Sequence, residues 1–153
     1  RHGQTQRYHH EVIGLNSRLD TIQASILLAK LSIFENELVL RNKIASRYIN
    51  LLKDSKLKSI PTVNKFNKSV WAQFTIEVES RDQVRAYLKG KNIPTAVYYP
   101  TPLHKQPAVQ CNISSLPISE EVSKYVLSLP MGPYLTEDNQ DRIVQEIKSI
   151  VPK

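Results

Sequence analysis

Residues 98–108, YYPTPLHKQPA, place two tyrosines, a histidine and a glutamine among three prolines. Proline lacks a backbone N–H group and forbids a regular helix, so this segment is expected to be a turn or loop. Phenol, imidazole and amide side chains on such a loop could all form hydrogen bonds with a polar ligand. The composition alone supports two interpretations equally, a rigid proline turn and a binding loop.

A second stretch with chemical potential is GLNSRLDTIQA, in which Asn16, Ser17 and Arg18 precede a predicted long helix. One interpretation is a plain helix cap, because Ser17 or Asp20 can accept a hydrogen bond from the first turn. The other is an anion site, because an asparagine and an arginine beside free helix N–H groups suit a phosphate. Both interpretations are open at this point.

Other kinds of site are not indicated by the sequence. The four histidines lack metal-ligand spacing and belong to no Cys/His/Asp cluster, so no metal site is expected. There is no glycine-rich phosphate loop and no G-x-S-x-G motif. Helix caps or solvent-facing positions explain the acidic residues that might pair for acid/base catalysis, which are Asp20, Glu77, Glu79, Glu120 and Glu121.

The single cysteine, Cys111, excludes an internal disulfide and is interpreted as structural, which fits a cytoplasmic protein. No apolar run approaches the roughly 20 residues of a membrane helix, and the polar, basic N-terminus does not resemble a secretion signal. Because residue 1 is not methionine, we expect a processed product or a piece of a longer chain.

The net charge of +7 on 153 residues is unevenly distributed. Lysine and arginine exceed acidic residues by ten to five in residues 1–60 and by seven to three in 61–110. Such an excess could attract nucleic acid or a phosphorylated small molecule. The basic residues are scattered and form no nucleic-acid motif, so most are interpreted as a solvated surface and no nucleic-acid partner is expected.

The longest predicted element is a helix over residues 20–53. Apolar residues recur at helical spacing from Ile22 to Ile44, and neither proline nor glycine interrupts the segment. At 1.5 Å per residue, the roughly thirty residues of this apolar stretch would be about 45 Å long, and the helix is apolar on more than one face. We therefore expect part of it to pack on something outside this sequence. Residues 1–19 are predicted to form an extended lead-in.

Residues 54–153 are predicted to form a small α+β domain. Three strands and three helices are expected in this order: strand 70–79, helix 80–92, strand 93–100, helix 119–125, strand 126–130 and helix 136–151. Ser80, Ser119 and Thr136 are the predicted helix caps. The order predicts a small, mostly antiparallel sheet covered by helices on one side.

The clearest strand pattern is the strict alternation over residues 70–79. It predicts a half-buried strand whose even-numbered residues, from Val70 to Val78, face the core. Trp71 and the other odd-numbered residues are predicted to face solvent.

Four motifs occur in a specific order: G-x-N-S-R-x-D-x-x-Q-A, YP-x-P-L-H-x-Q-P-A, LPISEE and VLSLPMGPYLT. Together with RHGQ and YHHEVIG near the N-terminus, they resemble the C-terminal part of the DegT/StrS-type sugar aminotransferases. The resemblance covers essentially the whole chain. It implies the small domain of a fold-type I enzyme that uses pyridoxal 5'-phosphate (PLP) to aminate keto sugars linked to nucleotides.

The resemblance also implies a cytoplasmic homodimer of larger chains, serving surface-polysaccharide synthesis, with glutamate as the expected amino donor. The Schiff-base lysine of that family lies upstream of the RHGQ region, and no lysine here lies in a matching motif. No catalytic residue is therefore assigned, and these 153 residues alone are expected to be inactive. The alternative is a non-catalytic regulatory or binding remnant of a split or truncated aminotransferase gene.

Six residues acquire roles from the resemblance. Asn16 would reach the PLP phosphate of the other subunit, and Arg18 would lie at the substrate. Tyr98 and Tyr99 would line the sugar-nucleotide pocket, although many relatives have histidine at the first of these positions. Two further matches, His104 and Gln106, would contact the substrate or order the loop.

Overall fold

The structure is a computed structural model, and it describes residues 4–6, 9–12, 14–15, 18–106 and 115–151. The chain divides into two compact units, Arg1–Asn36 and Glu37–Lys153. The boundary between the units lies within the long helix. Asn16, Ser17 and Cys111 lie outside the described residues.

The first unit contains a short antiparallel pair, strand β1 (Gln4–Gln6) and strand β2 (His9–His10), and the start of helix α1 (Thr21–Leu52). The predicted cap of α1 is confirmed, because Asp20 Oδ1 accepts a hydrogen bond of 2.9 Å from the backbone N–H group of Gln23. The predicted extent of the helix is confirmed to within one residue at each end.

The described part of the second unit contains the remainder of α1, followed by the strands and α-helices β3 (Phe74–Glu77), α2 (Arg81–Gly90), α3 (Pro117–Val122), β4 (Val126–Leu129) and α4 (Glu137–Ile150). Strands β3 and β4 are antiparallel, with Phe74 opposite Leu129 and Glu77 opposite Val126. The predicted α+β class and small antiparallel sheet are confirmed.

The core of the second unit joins α1 to the sheet and to the two longer helices that follow. Fully buried side chains come from every one of these elements: Tyr48, Leu52, Phe74, Ile76, Leu88, Leu127 and Ile147. The rings of Tyr48 and Phe74 are 4.9 Å apart, and the Tyr48 hydroxyl donates to the carbonyl oxygen of Pro130 at 3.1 Å. The C-terminal half of α1 is therefore part of the core.

The predicted strand over residues 70–79 is too long, and its first part is wrong. Trp71 has a positive φ of 48°, which breaks the extended conformation before the strand begins. Trp71 is consequently buried, at 8 % exposure, whereas Val70 and Ala72 are exposed. Downstream of this break the prediction holds, because Phe74, Ile76 and Val78 are buried.

The burial of Trp71 depends on partners on α1. Its indole N–H donates to Asn42 Oδ1 at 3.2 Å, and its carbonyl oxygen accepts from Arg41 at 3.1 Å. Asn42 also donates to the carbonyl oxygen of Ser69, at 3.3 Å. A buried tryptophan needs a partner for its N–H group, and a helix some 30 residues away supplies it.

The predicted strand over residues 93–100 is also wrong. The structure reduces it to one antiparallel bridge, in which Ala96 and Ser128 exchange N–H···O bonds of 3.1 and 2.7 Å. Pro94 and Pro100 carry no N–H group, so a ladder through Ala96 is limited to the few residues between them.

Of the three predicted caps, Ser80 occupies the N-cap position of α2 without the capping bond, Ser119 is wrong and Thr136 is confirmed. Ser80 lies in the left-handed region, with φ 51°, and its side chain makes no capping bond. Helix α3 begins at Pro117 rather than at the predicted Ser119, because proline suits the first helical position. Thr136 does cap α4, accepting from the N–H group of Asn139 at 3.3 Å.

Candidate functional site

A cleft of about 920 Å³ lies in the second unit. It is lined by the loop of residues 98–106, by helix α3 with the residue before it, and by the start of β4. Clefts of this size commonly bind small molecules.

Local hydrogen bonds and prolines shape the loop. A 3₁₀ turn spans Leu103–Lys105, in which the N–H group of Lys105 donates to the Pro102 carbonyl oxygen at 3.0 Å. The side-chain amide of Gln106 donates back to the carbonyl oxygen of Thr101 at 3.3 Å. These bonds join residues at most five positions apart, so the local sequence contributes to the shape of the turn.

Two tyrosines at the start of the loop present their rings to the cleft. Tyr98 and Tyr99 are 46 % and 72 % exposed, and their ring centroids are 5.8 Å apart in an edge-to-face arrangement. Exposed aromatic faces with hydroxyl groups can stack on a sugar or a base and also form hydrogen bonds.

The structure brings together four of the six predicted site residues, because Tyr98, Tyr99, His104 and Gln106 all line this cleft. The His104 side chain is only 6 % exposed, and its Nε2 atom lies 3.1 Å from Oε1 of Glu120. This contact favours loop ordering as the role of His104. Direct contact of these four residues with a substrate stays a prediction.

The other two predicted site residues belong to the first unit. Asn16 lies outside the described residues, and Arg18 is exposed. Asp20 already occupies the N–H group of Gln23 at the start of α1, so the cap interpretation holds for this residue. The start of α1 therefore has fewer free N–H groups for an anion than the sequence suggested. The roles of Asn16 and Arg18 stay predictions.

Sequence reasoning missed the role of Glu120, which it explained only as a capping or solvent-facing residue. Its carboxylate contacts His104, the ammonium group of Lys105 and the N–H group of Leu116. Lys105 most of all, then the Leu116 N–H group and His104, lower the pKa of Glu120 to about 2. Pro117 at the first position of α3, with a glutamate three residues later, was the available indication.

The described residues that line the cleft include neither acidic residues nor lysine or arginine. The nearby Lys105 is paired with Glu120. The lining instead combines aromatic rings, aliphatic side chains and the hydroxyl groups of Thr101, Ser119 and Ser123. This chemistry suits an uncharged, hydroxyl-rich part of a ligand.

A smaller cleft of about 340 Å³ shares Tyr98 with the first. Gln73, Thr95 and Met131 are among its other lining residues. Tyr98 is therefore positioned to affect both clefts.

Within the described part of the chain, no three His, Cys, Asp or Glu residues are grouped to hold a metal ion. In the same part, no helix is both long and apolar enough to cross a bilayer.

Comparison with known proteins identifies related sequences and structures. Residues 1–148 match the DegT/DnrJ/EryC1/StrS aminotransferase family. The chain is 50 % identical over 135 residues to a UDP-2-acetamido-2-deoxy-3-oxo-D-glucuronate aminotransferase of Pseudomonas aeruginosa, a match that covers 88 % of the chain and 37 % of the relative. It is 38 % identical to a pleiotropic regulatory protein of Geobacillus stearothermophilus, with 95 % and 41 % covered.

Among solved structures, a DegT DnrJ EryC1 StrS aminotransferase from Brucella abortus superposes with a TM-score of 0.85 and 43 % identity. That match covers 99 % of this chain and 41 % of the other. The chain thus spans about two fifths of the length of the proteins it matches.

Proposed function

This chain belongs to the DegT/DnrJ/EryC1/StrS aminotransferase family, and from that premise we propose that it is the C-terminal, small-domain part of a PLP-dependent sugar aminotransferase. The complete enzyme transfers an amino group from glutamate to a keto sugar linked to a nucleotide. The observation that carries the proposal is the cleft in which Tyr98, Tyr99, His104 and Gln106 meet, in a chain half identical to an aminotransferase of a UDP-linked 3-oxo sugar acid.

The described residues do not by themselves fit the PLP cofactor. A PLP site needs a lysine for the Schiff base and groups that hold a phosphate, and the described lining of the cleft has neither lysine nor arginine. When bound, PLP supplies the electron sink for transamination. We propose that the Schiff-base lysine is contributed by another part of the enzyme, and that these residues alone are inactive.

For the substrate, the cleft supplies groups that suit a sugar. Tyr98 and Tyr99 offer exposed ring faces, and Ser119 and Ser123 offer hydroxyl groups. The negative charge of a nucleotide diphosphate is not matched by the described lining and needs cations elsewhere. Arg18 is exposed, and we propose from the family resemblance that it lies at the substrate in the complete enzyme.

The proposal includes a homodimer in the cytoplasm that serves surface-polysaccharide synthesis. In that dimer, Asn16 of one subunit would bind the PLP phosphate of the other. The exposed apolar residues in the first half of α1, such as Ile22, Leu28 and Leu31, support burial against a further domain or subunit.

The proposal is tested in the complete enzyme by the substitution Tyr98→Ala. We expect the KM for the keto-sugar nucleotide to rise by ~tenfold, because a stacking and hydrogen-bonding surface is lost. The absorbance of bound PLP should not change, and Lys89→Ala on the exposed surface of α2 is the control. Loss of PLP with an unchanged KM would contradict the assignment of this loop to the substrate.

A second candidate is a non-catalytic regulatory or binding protein derived from a split or truncated gene. It is favoured by the relative from Geobacillus stearothermophilus, which is described as a pleiotropic regulatory protein. The DNA upstream of the codon for Arg1 discriminates between the two. A continuous reading frame with a second, lysine-bearing domain supports the enzyme, whereas a stop codon and a separate start support the remnant.

A further inference from the structure

We propose that Glu120 is a positioning residue of the cleft, which ties the Leu103–Lys105 turn to helix α3 and thereby sets the shape of the sugar-nucleotide site. The inference rests on the proposed function, since it concerns how that same site is held in place. It assigns a role to a side chain that does not itself line the cleft.

Glu120 contacts two segments at once. On the turn, Nε2 of His104 lies 3.1 Å from Oε1 of Glu120, and the ammonium group of Lys105 pairs with Oε2. Beside its own helix, Oε1 accepts from the N–H group of Leu116 at 3.0 Å and from the hydroxyl of Ser115 at 3.3 Å. The Glu120 carboxylate thus contacts four groups, two on the turn and two just before α3.

Helix capping explains only part of this arrangement. The bond from the Leu116 N–H group resembles the return bond of a capping box, and a glutamate in the first turn of α3 is enough to make it. His104 and Lys105 are 16 and 15 residues from Glu120 and contribute nothing to that cap. Their contacts connect the turn to the helix.

Both connected segments line the cleft. The turn contributes Leu103 and His104, and the other segment contributes Leu116 and Ser119. Releasing the turn from α3 would therefore allow one part of the lining to move relative to the other.

The Glu120 carboxylate is charged at physiological pH. Lys105, the Leu116 N–H group and His104 lower the pKa of Glu120 to about 2, so the carboxylate stays ionised wherever the enzyme works. Glutamine, the uncharged isostere of glutamate, cannot form the ion pair with Lys105 but retains an oxygen that can accept the bond from the Leu116 N–H group.

The test uses the complete PLP-loaded enzyme with Glu120→Gln and the substrate UDP-2-acetamido-2-deoxy-3-oxo-D-glucuronate. We expect the KM for this sugar nucleotide to rise ~tenfold, while kcat changes by less than ~threefold and the KM for glutamate is unchanged. The dissociation constant for UDP-N-acetylglucosamine, measured by calorimetry without turnover, should rise by a similar factor.

The matched control is Glu121→Gln. It removes the same charge from the next position of the same helix, where the carboxylate pairs with Lys124 at 2.8 Å. Glu121 neither lines the cleft nor contacts the turn. Both KM values, kcat and the dissociation constant of Glu121→Gln should therefore stay within ~twofold of wild type.

A second variant, Lys105→Met, removes one of the two contacts between the turn and Glu120 and leaves the His104 contact and the α3 cap intact. It should raise KM in the same direction as Glu120→Gln and by no more, and the double variant should be no worse than Glu120→Gln alone, since Lys105 acts through that carboxylate. If either variant lowers thermal stability while KM and the dissociation constant stay at wild-type values, Glu120 is only a cap and the inference is wrong.

A different result would overturn the proposed function. A wild-type enzyme that aminates neither this substrate nor a dTDP-linked 3-keto hexose would overturn the proposed function, and the inference with it. A wild-type enzyme that is active, with variants of unchanged KM, would overturn the inference alone.

Discussion

The two halves of helix α1 have the same secondary structure and different environments. In the second half, Ala45 and Tyr48 are completely buried and Leu52 nearly so. In the first half, Ile22, Leu28 and other large apolar residues are exposed. Apolar side chains at helical spacing thus predict a helix in both halves, but burial depends on what the rest of the protein places against each one.

The two halves of α1 also contribute differently to the protein. The second half supports the core and, through Arg41 and Asn42, the turn before β3. The first half adds apolar surface that the proposed enzyme would bury elsewhere. Substitutions in each half should therefore affect different properties.

The largest effect is expected from Tyr48→Ala in the second half. Removing a fully buried aromatic ring that packs on Phe74 should destabilise the small domain by ~3–5 kcal/mol. Hydrogen exchange of the β3 and β4 amides, measured in the complete enzyme by mass spectrometry, should accelerate. Tyr48→Phe keeps the ring and loses only the bond to Pro130, so it should cost ~1 kcal/mol. Equal effects of the two variants would contradict the packing argument.

The next effect concerns the first half of α1. If Leu28 is buried against another subunit in the enzyme, Leu28→Asp should weaken that association by ~1.5–3 kcal/mol, or about ten- to a hundredfold in Kd. Light scattering over a dilution series measures the change in mass. Lys30→Asp introduces an aspartate at an exposed polar position of the same helix and should leave the mass unchanged. An unaltered dimer with Leu28→Asp would mean that this residue lies outside the interface.

A smaller effect is expected at the start of α1. Asp20→Ala removes the acceptor for the Gln23 N–H group and should destabilise the first turn by ~1 kcal/mol. Exchange of the amides of residues 21–24 should accelerate, while the amides of the second half of α1 keep their wild-type rates. Glu35→Ala, which removes the same charge farther along the helix, should leave the first turn unaffected.

The smallest effect is a pH dependence where the second half of α1 meets α4. The Arg47 guanidinium bonds the Asp141 carboxylate at 2.8 Å and lowers the pKa of Asp141 below its ordinary value of 3.8. Because the folded-state pKa is the lower one, the stabilisation is fully present above the ordinary value and is lost as pH falls through the folded one.

Asp141→Asn should therefore be slightly less stable than wild type from pH 7 to about 5. The difference should shrink as the pH falls below 3.8 and be lost once the pH passes through the folded-state pKa. Thermal melts across this range, monitored by exchange of the α4 amides, check it. A difference that grows as the pH falls would contradict the assigned sign.

The sequence alone determined the features that depend on near neighbours. It predicted α1 with its Asp20 cap, α4 with its Thr136 cap and the buried side of β3, because periodicity and capping involve residues only a few positions apart. It also indicated that the 98–106 loop could present Tyr98 and Tyr99, since prolines shape a turn locally.

Only the tertiary structure decided the features that depend on residues distant in sequence. Trp71 is buried because Asn42, 29 residues earlier, supplies a partner for its indole N–H group. The segment of residues 93–100 pairs only at Ala96, opposite Ser128. Glu120 connects α3 to a turn 15 residues upstream. Such contacts leave no periodic pattern in the sequence, because their energy comes from groups that meet only when the chain has folded.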